Sequence, residues 1–168
     1  MRILMPSFML LAGCPNSDDT DDTDTGDDPG VACFLTMPLS GGLEEDIDWA
    51  SAEGCRGGGD WQSVTAAFGG PATDFDVAIK VMAVQEQTGT GLDATVRIEH
   101  DTLGNWETGD GDCAVDLDQN VFVEQSMTSE TWRVGGSGSC TGTAVGVDGN
   151  VGAAVTIGAF AFRSDVSW

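Results

Sequence analysis

The fold class is decided by residues 74–81, which read Asp-Phe-Asp-Val-Ala-Ile-Lys-Val. The odd-numbered positions from Phe75 to Val81 are all large and apolar, whereas the even-numbered positions carry two aspartates, an alanine and a lysine. An alternation with a period of two is typical of a β-strand that buries one face. The stretch 74–84 is therefore predicted to be a half-buried strand whose odd-numbered side chains point into a core.

A second alternating stretch follows at residues 93–99, where the apolar side consists of Ala94, Val96 and Ile98. Residues 87–91, between the two stretches, read Gln-Thr-Gly-Thr-Gly, which is typical of a turn. We therefore expect the two strands to form a hairpin with a charged solvent face.

Short strand candidates recur along the rest of the chain, at residues 31–37, 61–68, 113–117, 121–124, 131–134, 144–147 and 151–162. Asp110-Gly111 and Asp148-Gly149 predict hairpin turns, because both central positions of a type I′ turn need a positive φ. Two stretches are ambiguous. Asp60 is also suited to cap a short helix through Phe68, and residues 43–52 are also compatible with a helical turn.

Many short strands joined by turns predict an all-β fold, and the 24 glycines agree with a turn-rich chain. We expect an antiparallel β-sandwich of about 8–10 short strands with two disulfides, and an up-and-down β-barrel is the alternative. The strand predicted at 151–162 has apolar residues on both faces, so it is expected to be central or covered.

The N-terminus has the layout of a secretory signal peptide, with Arg2 first and an apolar run at residues 3–12. This run is too short to span a bilayer, which needs ~20 apolar residues. It ends in Leu11-Ala12-Gly13-Cys14, which resembles a bacterial lipobox, the signature of lipoprotein signal peptides.

The resemblance implies that residues 1–13 are removed by cleavage between Gly13 and Cys14. It also implies that the Cys14 sulfur carries a diacylglycerol and that the freed amine is acylated, with palmitate a typical acyl chain. Two or three acyl chains hold a protein firmly on a membrane. Because Pro15 stands where an aspartate often favours the inner membrane, the outer membrane is the expected location, with the domain facing the periplasm or the cell surface.

The segment 14–30 couples this cysteine to an acidic, low-complexity stretch with seven aspartates and no basic residue. Such a stretch cannot bury an apolar face, and its like charges keep it extended, so a disordered tether is predicted. Residues 15–30 reach at most ~55 Å. Residues 31–168 remain as one domain of sufficient length to bury a core.

The chain has six lysines and arginines against 28 acidic residues, a net charge of −22. This charge argues against nucleic acid, which is bound through phosphate neutralisation, and against peripheral attachment to anionic lipid. The expected partners are the membrane, through the lipid anchor, and a glycan or another envelope protein.

The five cysteines support both the anchor and the crosslinks. With Cys14 set aside for lipid, an even number is left, namely Cys33, Cys55, Cys113 and Cys140. Three pairings are conceivable, and we favour 33 with 55 and 113 with 140, because near neighbours in a strand-turn-strand chain usually meet first. A zinc site would need Cys-x-x-Cys-type spacing, which the sequence lacks.

The densest acid cluster of the domain consists of Asp110, Asp112, Asp116 and Asp118. Alternate carboxylates on one strand face make this cluster a weak calcium candidate, since calcium prefers oxygen ligands. An EF-hand does not fit, because counting twelve positions from Asp110 reaches Val121. A solvated turn and strand face is the favoured interpretation, and no other cofactor is expected.

No residue is predicted to be catalytic. His100 is the single histidine, no Gly-x-Ser-x-Gly elbow exists, and a surface histidine is expected. Residues 56–60, Arg-Gly-Gly-Gly-Asp, lack the Lys-Ser/Thr of a phosphate-binding loop and are predicted to be a flexible loop. The tryptophans suit core packing or sugar stacking, and they stand at positions 49, 61, 106, 132 and 168.

These observations together predict a lipid-anchored protein of the bacterial envelope. Its disulfide-bonded β-sandwich is expected to be a binding or structural module without enzymatic activity. The alternative is a hydrolase that acts on polysaccharide through paired carboxylates.

Overall fold

The computed structural model describes residues 33–50, 53–69, 74–147 and 152–168, with only the backbone of residues 53 and 54. The predicted signal peptide, Cys14, the tether and the Asp148-Gly149 turn lie outside these ranges. The described chain forms twelve β-strands and no helix, which confirms the all-β class and exceeds the expected strand number.

The strands are β1 (Phe34–Gly41), β2 (Glu45–Trp49), β3 (Glu53–Gly59), β4 (Val64–Gly69), β5 (Phe75–Val81), β6 (Gly89–His100), β7 (Gly104–Glu107), β8 (Cys113–Gln125), β9 (Glu130–Cys140), β10 (Thr143–Gly146), β11 (Val155–Ile157) and β12 (Phe160–Ser167).

All twelve strands belong to one continuous sheet in the order β2-β1-β11-β10-β7-β6-β5-β4-β3-β12-β9-β8. Further pairings of β1 with β12 and of β6 with β8 curl the sheet back on itself. The pairing is antiparallel except at one bridge, where Ser167 of β12 lies parallel to Gly58 of β3. Many neighbours are not consecutive in the chain, so the up-and-down order of the alternative prediction is wrong.

The curled sheet packs face to face around one apolar core. The rings of Trp49 in β2 and Phe75 in β5, strands that are far apart in the sheet order, have centroids 5.4 Å apart. Phe68 of β4 and Phe162 of β12 meet edge to face at 6.3 Å. The contact between Trp49 and Phe75 joins distant parts of the curled sheet across its buried interior.

The predicted hairpin at residues 74–99 is confirmed. Strands β5 and β6 pair from Phe75 opposite His100 to Val81 opposite Ala94, and the odd-numbered side chains of β5 are buried. Strand β6 begins earlier than predicted, at Gly89, because its first half pairs with β8 instead. Part of the predicted turn is therefore strand.

The favoured cysteine pairing is also confirmed. Cys113 and Cys140 are directly opposite each other in β8 and β9, with Cα atoms 4.0 Å apart. Cys33, just before β1, is bonded to Cys55 of β3, with Cα atoms 6.2 Å apart. One disulfide thus joins the paired strands β8 and β9, and the other joins the residue before β1 to β3.

Neither helical alternative is correct. Residues 45–49 form β2, which pairs with β1. Asp60 organises a turn, since its Oδ1 accepts hydrogen bonds from the backbone N–H groups of Gln62 and Ser63, both at 2.7 Å. This turn leads into strand β4 and not into a helix, because β3 and β5 offer ladder partners on both sides.

The prediction of a flexible loop at residues 56–60 is wrong, because Glu53–Gly59 is a strand, β3. A Cβ atom on Gly57 would collide with the carbonyl oxygen of Thr65 and with Val166, and one on Gly59 would collide with the ring of Trp168. The glycines therefore let β4, β12 and a tryptophan approach the backbone closely.

Asp110-Gly111 forms a turn, with Gly111 at a φ of 75°, but the predicted hairpin is wrong. The preceding strand β7 pairs with β6 and β10, and the following strand β8 pairs with β6 and β9. The Asp112 carboxylate accepts the N–H of Gly109 at 2.8 Å, so this loop is stabilised by its own contacts.

The segment predicted as one strand at 151–162 contains two strands and a bulge. Leu39 of β1 pairs with Ile157, and Thr36 pairs with Ala161. Three positions along β1 therefore correspond to four positions along this segment, and the extra residue forms the bulge. The N–H of Gly158 donates to the carbonyl of Pro38 at 2.9 Å. Because of the extra residue, the buried positions are odd-numbered in β11 and even-numbered in β12. Both strands therefore bury their large side chains.

Candidate functional site

An open groove of about 460 Å³ lies on the outer surface of β5, β6 and β7, beside the 108–112 loop. It is lined by Lys80, Met82, Asp93, Ala94, Thr95, Glu107, Asp110 and Gly111. The groove combines an ammonium, carboxylates, a hydroxyl and an apolar floor, which is the mixture of groups common in small-molecule sites.

Strand register brings these side chains together. Lys80 of β5 is directly opposite Thr95 of β6, and directly opposite residues of an antiparallel pair share one face. The N–H of Met82 donates to the carbonyl of Asp93 at 2.9 Å, which continues the pairing past the end of β5. Because the odd-numbered residues of β5 face the core, Lys80 faces outward into the groove.

The groove has an unequal charge balance. Lys80 is the only lysine of the protein, and it faces three carboxylates. Glu107 is shared with Arg97, whose Nη1 lies 3.4 Å from Glu107 Oε2 and whose Nε lies 2.7 Å from Glu99 Oε1. All ion pairs among the described residues involve arginines, so the Lys80 ammonium is not occupied by one of them.

Lys80 also acts on the neighbouring turn. The pKa of Asp60 lies below its usual value, chiefly because its carboxylate accepts the N–H of Gln62 and then that of Ser63. The charge of Lys80 adds a smaller effect in the same direction. Because none of the ion pairs among the described residues uses Lys80, its ammonium can donate to a ligand that offers oxygen acceptors, while the carboxylates of the groove accept from hydroxyl or amine donors.

The four carboxylates proposed for calcium are not brought together. In the described part of the chain, no group of three or more His, Cys, Asp and Glu side chains is arranged to hold a metal ion. Asp112 binds the Gly109 N–H, and Asp116 accepts the N–H of Gly91 at 2.8 Å. Asp110 lines the groove, and Asp118 is exposed on β8.

The tryptophans divide into core and surface. Trp49, Trp106 and Trp132 are buried, and Trp168 is half-buried. Trp61 is 80% exposed and does not line the groove. Most of these rings therefore serve packing, as favoured from the sequence.

His100 has a structural environment and is half-buried. Its ring stacks on Phe75, with centroids 6.1 Å apart and planes 9° apart. Its Nδ1 accepts the backbone N–H groups of Thr102 at 3.2 Å and Leu103 at 3.4 Å. These contacts fix the ring at the end of β6.

The groove itself is not visible in the sequence. Its lining residues come from separated segments between positions 80 and 111, and only the β5–β6 register and the 108–112 loop place them side by side. The one available signal in the sequence is the single lysine of an acidic chain, Lys80, on the solvent face of an alternating strand.

Comparison of the chain with protein-family models, with curated proteins and with solved structures found no match. Among the described residues, no helix has the length and apolar character needed to cross a bilayer.

Proposed function

We propose that this chain is a lipid-anchored protein of the bacterial envelope that displays its disulfide-bonded β domain as a binding module. The groove around Lys80 is the proposed binding site, and Cys14 is the proposed lipid attachment site. An outer-membrane location follows from Pro15 under the same lipobox resemblance.

The cysteine pairing is the single observation that best supports lipid attachment at Cys14. Cys33 is bonded to Cys55 and Cys113 to Cys140, so the four cysteines of the domain satisfy one another. Cys14 is then the odd cysteine of five, and it stands directly after Leu-Ala-Gly. A lipid thioether accounts for both facts.

Mass spectrometry of the full-length protein produced in a bacterium tests the anchor. The expected N-terminal peptide begins at Cys14 and carries acyl chains. The Cys14→Ala variant is the matched control and should remain unprocessed or appear without lipid. A mature protein in which the Cys14 sulfur is unmodified would contradict the proposal.

Density-gradient separation of the two membranes tests the location. The acylated protein is expected with the outer membrane, and Pro15→Asp is expected to move it toward the inner membrane. Equal distribution of both proteins would contradict the role of Pro15.

The binding role follows from the groups in the groove. Lys80 and Thr95 supply donors, Asp93 and Asp110 supply acceptors, and Met82 contributes an apolar surface. Hydroxyl-rich saccharides match such a mixture, and their rings cover small apolar surfaces. A glycan is therefore the first ligand class to test.

Binding of envelope glycans by the purified Cys14→Ala protein tests this role. Lys80→Ala should weaken binding, whereas Arg56→Ala, which removes an exposed arginine outside the groove, should not. Equal affinities of the two variants, or no binding at millimolar glycan, would count against the groove.

A polysaccharide-acting hydrolase is the second candidate, because Asp93, Glu107 and Asp110 line one groove. Paired carboxylates are the usual machinery of glycoside hydrolysis. The binding experiment distinguishes the two, since a hydrolase would shorten the glycan and Glu107→Gln or Asp110→Asn would abolish that cleavage. Intact glycan after prolonged incubation would eliminate this candidate.

A further inference from the structure

One end of the domain carries a group of exposed apolar side chains, here named the apolar end. Its members are Trp61, Val84, Val121, Phe122, Val123 and Met127, all at least 40% exposed. Large exposed apolar patches on a protein surface mark sites of contact with other molecules.

Hydrogen bonds and close backbone contacts place these residues at the same end of the sheet. The Asn120 side chain, next to Val121, donates to the carbonyls of Val84 at 2.9 Å and Gln87 at 3.0 Å. Met127 lines a shared surface depression with Gln85 and Trp168. The turn that holds Trp61 follows Gly59 of β3, whose backbone lies against the Trp168 ring.

Side-chain contacts hold the β8–β9 hairpin beneath these residues in place. The ring of Phe122 packs edge to face on the buried Trp132, with centroids 5.8 Å apart. Glu130 accepts from Gln85 Nε2 at 2.7 Å and from Trp132 Nε1 at 3.2 Å. The exposed side chains are thus presented from a fixed hairpin.

The hairpin of the apolar end carries little charge, although Asp60, Glu86 and Glu130 lie next to other parts of this end. Residues 119–129 contain a single charged side chain, Glu124, in a protein with a net charge of −22. A hairpin with few carboxylates costs less to desolvate than a surface dense in them.

Strand direction shows that the amino end of β1 lies on the same side of the domain as the apolar end. Strand β1 is antiparallel to β12, and Phe34 lies opposite Arg163. From that level β12 continues to Ser167, opposite Thr131, which is about 13 Å nearer the apolar end at ~3.3 Å per residue. The amino end of β1, where Cys33 stands, therefore faces the apolar end.

We propose that the apolar end rests on the surface of the bilayer that holds the Cys14 lipid, in contact with zwitterionic phospholipid. This inference depends on the proposed anchor. Residues 15–32 reach at most ~60 Å, so a domain tethered by them stays close to the membrane. Tethering gives a high effective concentration, and a weak apolar contact is then sufficient.

A bilayer fits the apolar end better than a second copy of the chain does. Phe122 pairs with Trp132 and Glu124 with Thr131, so Val123 is a bulge residue, and bulges hinder edge-to-edge pairing of strands. Two copies would also repel each other through their net charges. An exposed tryptophan such as Trp61 suits the interface between lipid and water.

Tryptophan fluorescence of the acylated full-length protein in phosphatidylcholine vesicles tests the proposal. Vesicles with brominated acyl chains should quench the emission, and Trp61→Phe should remove most of that quenching. The double variant Phe122→Asp/Met127→Asp should also lose it, because two carboxylates oppose insertion. Met127→Asp alone is the variant to use if the double variant does not fold. It changes a fully exposed side chain and therefore leaves folding intact.

The matched control is Leu103→Asp, since Leu103 is about as exposed as Phe122 and follows β6 at the opposite end. It should retain the quenching. Absence of quenching in the vesicle-bound protein, or equal quenching in Leu103→Asp and the double variant, would overturn the membrane contact.

Two measurements separate this inference from its alternatives. If Cys14 is not acylated, the protein does not float with the vesicles, and the anchor fails rather than the contact. If ultracentrifugation of the Cys14→Ala protein without lipid shows a dimer that the double variant abolishes, the patch serves self-association and the inference is overturned.

Discussion

Strands β5 and β3 lie in the same sheet with only β4 between them, yet their sequences specify them in opposite ways. In β5 every second side chain is large and buried, and the strand is visible in the sequence. In β3 three glycines follow one another, of which Gly57 and Gly59 make room for neighbours, and nothing in the local sequence indicates a strand. The comparison shows that a strand is specified either by its own side chains or by what packs against its backbone.

The largest effect is expected in β5. Ile79 is fully buried, and Ile79→Ala removes apolar contacts and leaves a cavity. The free energy of unfolding should fall by about 2–5 kcal/mol in chemical denaturation. The exposed neighbour Lys80→Ala should change it by no more than about 0.5 kcal/mol. Similar losses for both would show that the alternation does not specify β5.

The next effect tests β3. Gly57→Ala introduces a Cβ that collides with the Thr65 carbonyl and Val166, so a loss of about 1–3 kcal/mol is expected from overpacking. At Gly58 the nearest atom to a Cβ is the Ser167 carbonyl oxygen at 3.7 Å. Gly58→Ala should therefore be neutral or slightly stabilising. Equal losses at both positions would refute close approach as the reason for the glycines.

A smaller effect concerns the charge pairs that flank these strands. Arg133 and Asp165 join β9 and β12 through two hydrogen bonds of 2.9 and 3.1 Å, which raise the pKa of the Arg133 guanidinium. A double-mutant cycle should give a coupling of about 1 kcal/mol.

The matched pair, Arg56 of β3 with Asp76 of β5, joins the two compared strands at 3.6 Å and is well exposed. Its coupling should be near zero, about 0–0.5 kcal/mol. A larger coupling for this pair than for Arg133 and Asp165 would reverse the expected ranking.

The smallest effect is at Asp60, in the turn between β3 and β4. Hydrogen bonds lower its pKa in the folded state, so its stabilising contribution is present above the unfolded value of ~3.9 and is lost as the pH falls through the folded value. Asp60→Ala should therefore destabilise the protein at pH 7, and the difference should shrink near pH 3. Urea denaturation at both pH values measures this, and a constant difference would exclude the carboxylate as the cause.

Local patterns predicted the parts of the fold that local side chains determine. The alternation in residues 74–99 gave the β5–β6 hairpin, and short sequence separation gave both disulfides. Strand β3, the bulge after Ile157 and the neighbours of β7 and β8 depend on partners remote in the chain. No local pattern records such partners, so these features were not predictable.

The candidate site was less predictable than the fold, for the same reason. The cluster of acids in the sequence pointed to Asp112 and Asp116 as calcium ligands. Their carboxylates instead accept hydrogen bonds from the backbone N–H groups of Gly109 and Gly91. Lys80 lies among acids only because β5, β6 and the 108–112 loop meet there. The sequence therefore indicates the right kinds of residue but not which of them share a surface.

Strand β12 has a consequence for how the protein is made. It pairs with β9, β1 and β3, and Thr36 and Ala161, which meet in one of these pairings, are 125 residues apart. In a nascent polypeptide that still lacks β12, one edge of each of those three strands has no ladder partner. Completion of the fold must therefore wait until Phe160–Ser167 has been synthesised, and a product that lacks this strand would leave unpaired strand edges open to proteolysis.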